Sequence, residues 1–267
     1  MSEPEFSSRN PPPSNRQLLI LLAIFGGFII ATIVALWFLF EQLVWLIPPQ
    51  FEQQLGRLVV PAFERQAKPS ATQTTLNQLL DRLETHLDSE LENRDYRVLY
   101  IPDSTINAYA LPGDHIVIFE GLLNQVESEN ELMMILGHEL GHFAHRDHLR
   151  GISRSLFIQT VLSLFFPNVG SLESFAAAIS SAQFSQSQER QADEFGLTLL
   201  QENYGHVAGA TDFFERIKAE DRGDNIDFLR THPPSQNRIQ RLEKLIKKRG
   251  YKLNQRSPLP ASLKKLD

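Results

Sequence analysis

The sequence predicts a mainly helical chain with a small β-sheet (α+β), set behind one N-terminal transmembrane helix. Three observations carry that prediction. Residues 17–40 form an uncharged run, almost wholly apolar from Leu18 onward. Residues 96–119 hold three short strand-like segments, two of them separated by Pro112-Gly113-Asp114. His138-Glu139-Leu140-Gly141-His142 closes a largely apolar helical stretch, and on a helix its two imidazoles stand one turn apart on one face.

Composition bounds the reading. A chain of 267 residues can hold one large or two small domains. Hydrophobic content of 42% and charged content of 22% are ordinary for a globular protein. A formal charge of −6 gives no reason to expect a nucleic-acid partner. The chain has no cysteine, which excludes disulfides, thiolate metal ligands and a cysteine nucleophile.

Residues 1–16, with Pro11-Pro12-Pro13, read as a disordered tail. Residues 17–47 read as a membrane anchor. As a helix the apolar run is roughly 35 Å long, against a hydrocarbon core of about 30 Å. It is too long for a signal-peptide core and lacks a small-x-small cleavage site. Trp37 and Trp45 suit the far interface, and Pro48-Pro49 ends the helix. Arg9 and Arg16 precede the span, whereas Glu41 and Glu52 come before Arg57. The positive-inside rule then puts the N-terminus in the cytoplasm and the domain beyond the span across the membrane. Residues 48–74, with Pro61 and Pro69, read as a linker containing a short amphipathic segment. Residues 75–267 form the main domain.

Within that domain, Leu76, Leu79, Leu80, Leu83 and Leu87 fall at helical spacing and predict a helix over 75–92. Residues 96–101 read as a strand, and 107–111 and 115–119 as strand, turn and strand. Ser128, Glu129 and Glu131 suit the start of the helix that carries the histidines. Gly137 and Gly141 each cost about 1 kcal/mol inside it relative to Ala, which is understandable if backbone or substrate approaches closely there. Residues 156–166 are apolar but about half the length of a span, so they read as a buried core helix ended by Pro167-Asn168. Residues 175–179 continue the apolar helical theme. Arg238, Arg241, Lys244, Lys247, Lys248 and Arg249 interleave with Ile239, Leu242, Leu245 and Ile246. That is an amphipathic helix with a solvated basic face, able to meet anionic lipid if it faces a membrane.

The paired histidines can grip one zinc ion, with the carboxylate of Glu139 able to act on a water. Such an enzyme needs a third protein ligand and an open position. Three candidates exist. His148 has metzincin spacing from His142, but His145 stands where that pattern needs a glycine to break the helix. A continuing helix would point His148 away. His145 lies one turn below His142, where a third ligand on the same helix would strain a tetrahedral site. Glu189 and Asp193 form an E-x-x-x-D pair on one helix face. One carboxylate can bind metal while the other orients a ligand histidine.

Asn107-Ala108-Tyr109-Ala110-Leu111-Pro112-Gly113, then the H-E-x-x-H motif, then Glu189-x-x-x-Asp193, then Thr231-His232-Pro233-Pro234 with Arg238 occur in that order. Their combination resembles the zinc metallopeptidase family of the membrane heat-shock protease HtpX, the outer-membrane protease BepA and the CAAX prenyl endopeptidase. The resemblance spans about residues 76–245. It implies a gluzincin-like zinc metallopeptidase domain, with one zinc ion per chain held by His138, His142 and Glu189. It implies that Asp193 orients a ligand histidine, and that His232 and Arg238 lie near the metal and the substrate carbonyl. Two departures stand out: Ser185-Gln186-Ser187-Gln188 replaces a frequent Ser-Arg, and Asp114 replaces the second glycine of the usual turn.

The expected activity is hydrolysis of a polypeptide substrate, with Glu139 as general base. The strand segment Asn107, Ala108, Tyr109 and Ala110 would pair with the substrate backbone. Membrane lipid would be met through the N-terminal helix, and protein quality control is the expected setting. The alternative is a membrane-bound chaperone or adaptor on the same fold, which would have no use for the Glu139 carboxylate.

Overall fold

The structure, a computed structural model, describes residues 13–88, 91, 94–151, 183–220, 226–233 and 237–264. The greater part of the expected tail, the apolar runs at 156–166 and 175–179, Pro167-Asn168 and Pro234 lie outside the described residues.

Helix α1, Asn15–Leu43, starts two residues before the predicted span because Ser14 and Gln17 form a capping box. With the 3-10 turn Val44–Leu46 it gives a 32-residue apolar stretch whose most apolar 18-residue window has none of its residues buried against the rest of the protein. Length and composition make it a candidate membrane span. Pro48 is extended, but Pro49 opens the next helix, α2, Pro49–Glu64, a first-turn position that proline tolerates well. Ser70 then caps α3, Ala71–Glu84, by accepting from the Gln73 amide. This cap moves the helix upstream of the predicted 75–92.

Three strands follow: β1, Arg97–Ile101; β2, Ala108–Leu111; and β3, His115–Phe119. Their order is β1-β3-β2, with β1 parallel to β3 and β2 antiparallel to it. At the predicted turn Gly113 and Asp114 adopt φ 82° and 65°. Asp tolerates that left-handed backbone better than most residues, and its carboxylate is held by Arg94 and by Gln53. The free edge of β1 is covered by side chains of α3: Asn77 and Gln73 accept from the amides of Val98 and Tyr100 at 2.9 and 3.0 Å.

Both faces of the sheet are buried. Val98, Ala108, Ala110, Ile116 and Ile118 face the main core with the leucines of α3. Leu99, Ile101, Tyr109, Leu111 and Val117 face Val59, Val60 and Phe63 of α2. The segment read as a linker thus carries a helix that packs on the outer face of the sheet.

After the short helix α4, Glu120–Leu123, comes α5, Glu129–Ala144, capped by Ser128 as its sequence predicts. Helix α6, Gln186–Tyr204, crosses α5 closely: a Cβ on Gly137 would lie 3.0 Å from the Gly196 Cα. The approaching backbone explains the helical glycines. Helices α7, Asp212–Glu220, α8, Asp227–Thr231, and α9, Arg238–Arg249, follow, with a 3-10 turn at Ala261–Leu263.

One expectation fails. The sequence predicts a histidine helix that continues through His148, but α5 ends at Ala144 and Arg146 turns left-handed at φ 56°. A new helical turn begins at 147. No glycine or asparagine marks that break.

Candidate metal centre

The crossing of α5 and α6, with the end of α8, brings four donors together. His138 and His142 come from α5, Glu189 from the first turns of α6, and His232 from the residue closing α8. One ligand atom of each lies within 4.8 Å of the others, and all four residues are buried. His138 Nε2 is 3.2 Å from both His142 Nε2 and His232 Nδ1. Glu189 Oε1 is 3.0 Å from His232 Nδ1 and 3.4 Å from His142 Nε2. Four ligands at zinc bond lengths of about 2.1 Å stand roughly 3.4 Å apart in a tetrahedron, so these spacings suit one ion.

The rings are fixed from behind. His138 Nδ1 lies 3.1 Å from Asp193 Oδ1, and His142 Nδ1 lies 3.1 Å from Asp147 Oδ2. Each carboxylate can accept the Nδ1 proton and leave Nε2 free for metal. Phe184 stacks on His142 at 3.8 Å, and Phe228 on His232 at 4.5 Å. Arg238 donates to Asp193 at 2.6 Å and pairs with Glu189 Oε2 at 2.9 Å. Its guanidinium covers Phe214 at 4.0 Å from the ring centroid.

Charge gives a second test of fit. Glu139, Asp147, Glu189 and Asp193 are all buried, and among the described residues Arg238 is the one buried guanidinium set against them, with the partly exposed Arg241 and Arg150 reaching Asp193 and Asp147. Buried charge needs compensation, and a divalent cation among these donors would supply it. Both oxygens of Glu139 are buried without a hydrogen-bond partner. Its Oε1 is 3.6 Å from His232 Nε2. The donor set and this orphaned carboxylate fit a metal ion and a proton-bearing partner beside it.

Titration follows the same pattern. Burial would raise Glu189, but the charges of His232, Arg238 and His138 hold its carboxyl well below the usual range. Asp193 is likewise held down, against burial, chiefly by Arg238 and His138. Burial lowers His138. Burial also opposes a proton on His142, yet the bonds to Asp147 and Glu189 raise it to about 10.

The remaining sequence candidates sort clearly. His145 is half-buried with Nδ1 at 2.8 Å from the Gly141 carbonyl, and His148 turns to Glu52 at 2.8 Å. Neither joins the donor cluster among the described residues. Asn107 Oδ1 accepts from the Ala108 amide and from Thr231 Oγ1, while His232 Nε2 is 3.3 Å from the Ala108 carbonyl. These bonds tie the edge strand β2 to the site. Tyr109 and Ala110 are buried in β2, and a cavity of about 390 Å³ opens beside it between Phe63, Tyr109, Phe119, Asn107 and Arg230.

Sequence reasoning missed Asp147 and Gln188. Gln188 completes the Ser185 capping box and also donates to Asp147 Oδ1 at 2.7 Å. The Asp-Gln contact joins positions 41 apart in sequence, and only the capping half of it has a local signature.

Comparison with known proteins adds a match of residues 70–246 to the model of peptidase family M48. The mitochondrial metalloendopeptidase OMA1 of Arabidopsis thaliana is 34% identical over 155 residues, covering 56% of this chain and 31% of that protein. The metalloprotease LoiP of Escherichia coli is 27% identical over 166 residues, 59% of this chain and 65% of that protein. A putative beta-barrel assembly-enhancing protease of Vibrio cholerae is 26% identical over 193 residues, 66% of this chain and 40% of that protein. The chain thus spans between about a third and two thirds of the length of these relatives.

Proposed function

The chain belongs to peptidase family M48, and from that premise we propose that it is a membrane-anchored, zinc-dependent endopeptidase acting on polypeptides. The observation that carries the proposal is the convergence of His138, His142 and Glu189 beside the orphaned Glu139 carboxylate.

In this reading His138 Nε2, His142 Nε2 and one oxygen of Glu189 hold the ion. Asp193 and Asp147 keep the two imidazoles in the tautomer that frees Nε2. Arg238 touches Glu189, Asp193 and His138, so its share is to hold the carboxylates in register. Zinc, when bound, polarises a carbonyl and lowers the pKa of water to about 7. Glu139 takes one proton from the attacking water and returns it to the leaving amine, so that water adds across the peptide C–N bond. His232, within 3.6 Å of Glu139, offers an N–H to the developing oxyanion.

An extended substrate would lie along the edge strand β2, using Asn107, Ala108, Tyr109 and Ala110, with one side chain in the cavity at Phe63, Tyr109 and Phe119. The candidate span α1 supports an anchor in membrane lipid, and Arg9 and Arg16 support a cytoplasmic N-terminus with the peptidase domain across the membrane. The proposed arrangement of the chain is that of the sequence reading: tail 1–16, anchor 17–47, linker 48–74 and peptidase domain 75–267. The relatives' names describe proteolysis and, in one case, enhanced β-barrel assembly, which supports a quality-control role. Comparing casein cleavage by wild type and Glu139→Gln tests the assignment. Cleavage confined to wild type, with metal retained in both, supports it; equal cleavage defeats it.

A further inference from the structure

Arg146 sits two residues beyond the end of α5 in left-handed backbone, φ 56°. That conformation is unfavourable for a non-glycine residue, and retained strain points to a compensating contact. The contact is present. Arg146 Nη1 donates to the carbonyls of Ile47 at 2.7 Å and Val44 at 3.0 Å. Those carbonyls lie where the apolar helix α1 gives way to α2.

The neighbours of Arg146 reach in two directions. Asp147, fully buried, meets His142 Nδ1 at 3.1 Å. His148 sets Nδ1 3.3 Å from the His142 carbonyl and Nε2 2.8 Å from Glu52 on α2. Arg150 lies over the ring of Trp45, 5.1 Å from its centroid. Glu52 is itself fully buried and also paired with Arg94. A buried carboxylate is an expensive way to fasten a helix, since apolar packing would do as well. Here it fastens α2 to the turn that carries the acceptor behind His142.

We propose that residues 146–150 form a strap through which the junction of α1 and α2 sets the position of Asp147 against His142. Arg146, His148 and Glu52 are then positioning residues, and the grip of the metal centre depends on the N-terminal helices being docked. The inference rests on the reading of His142 as a metal ligand.

The test uses the full chain in detergent, with zinc affinity read by competition with a chelator and stability by thermal melting. Arg146→Gly removes the guanidinium and also relieves the left-handed strain. Arg146→Lys keeps a donor and keeps the strain. A purely structural role lowers the melting temperature of metal-free Arg146→Gly and leaves the zinc affinity of its folded form unchanged. The strap moves the affinity as well. Zinc affinity is highest in wild type, intermediate in Arg146→Lys and about tenfold weaker in Arg146→Gly. Glu52→Gln, approached from the α2 side, weakens zinc in the same direction. Wild-type affinity in both Arg146→Gly and Glu52→Gln overturns the strap. A wild-type chain that binds no zinc overturns the ligand assignment of His142 instead.

Discussion

Gly141 of α5 and Ala192 of α6 meet so closely that a Cβ on Gly141 would lie 2.7 Å from the Ala192 Cα. One residue along α5 is His142, and three residues back along α6 is Glu189. The bare glycine surface is therefore what lets two sequence-distant ligand candidates share one centre. Gly141→Ala gains about 1 kcal/mol of helix propensity, yet it forces two backbones apart. Overpacking of this kind costs about 1–3 kcal/mol. We expect a lower melting temperature and weaker zinc binding in the same variant. A melting temperature above wild type would show that the crossing can open without penalty.

Glu139→Gln keeps the size of the side chain and removes its basicity. Glu139 is not among the four grouped donors, so zinc content should stay at the wild-type level. Peptide cleavage should fall by about 10²–10⁴, the usual contribution of general acid–base catalysis. Loss of zinc together with activity would move Glu139 from proton carrier to ligand.

Glu84 gives a pH signature away from the metal. Burial, with the charge of Asp81 next, raises its carboxyl from 4.5 to about 7, against a hydrogen bond from the Tyr96 amide. A carboxyl raised on folding contributes stability that is complete below its unfolded value of 4.5 and is lost as pH rises through 7. Glu84→Gln retains an acceptor for Tyr96 and carries no charge. It should melt above wild type at pH 8 by the equivalent of about 1 kcal/mol, after allowance for its partial exposure. At pH 4 the two proteins should converge. A constant difference across that range would remove the titration from the explanation.

Asp193→Asn probes the support behind His138. The amide cannot balance Arg238 or hold the Nδ1 proton as strongly as a carboxylate, so zinc affinity should fall about 10–100-fold. Chelator competition measures it directly, and an unchanged dissociation constant would assign Asp193 to packing alone.

The parts of the fold legible in the sequence are those with local causes. Ser128 announced a helix start through a side chain that caps its own backbone, and Pro112-Gly113-Asp114 announced the hairpin. The one-turn spacing of His138 and His142 did the same for half of the donor cluster. Glu189 was reachable only as one of two carboxylates at helical spacing and through family resemblance, because nothing local says that α6 lies against Gly137 and Gly141. The docking of α2 on the sheet was not legible, since Val59, Val60 and Phe63 find partners 36–58 positions onward, between Leu99 and Val117. Asp147 was hidden by the unexpected break at Arg146, where a residue without special backbone freedom adopts φ 56°.

The most direct measurement is the zinc content and affinity of the purified full chain beside its Glu189→Ala variant. The metal-centre account expects about one zinc per wild-type chain and little or none in the variant, with both proteins folded by circular dichroism. Wild-type protein free of bound metal, or a variant that holds zinc as tightly as wild type, would contradict it.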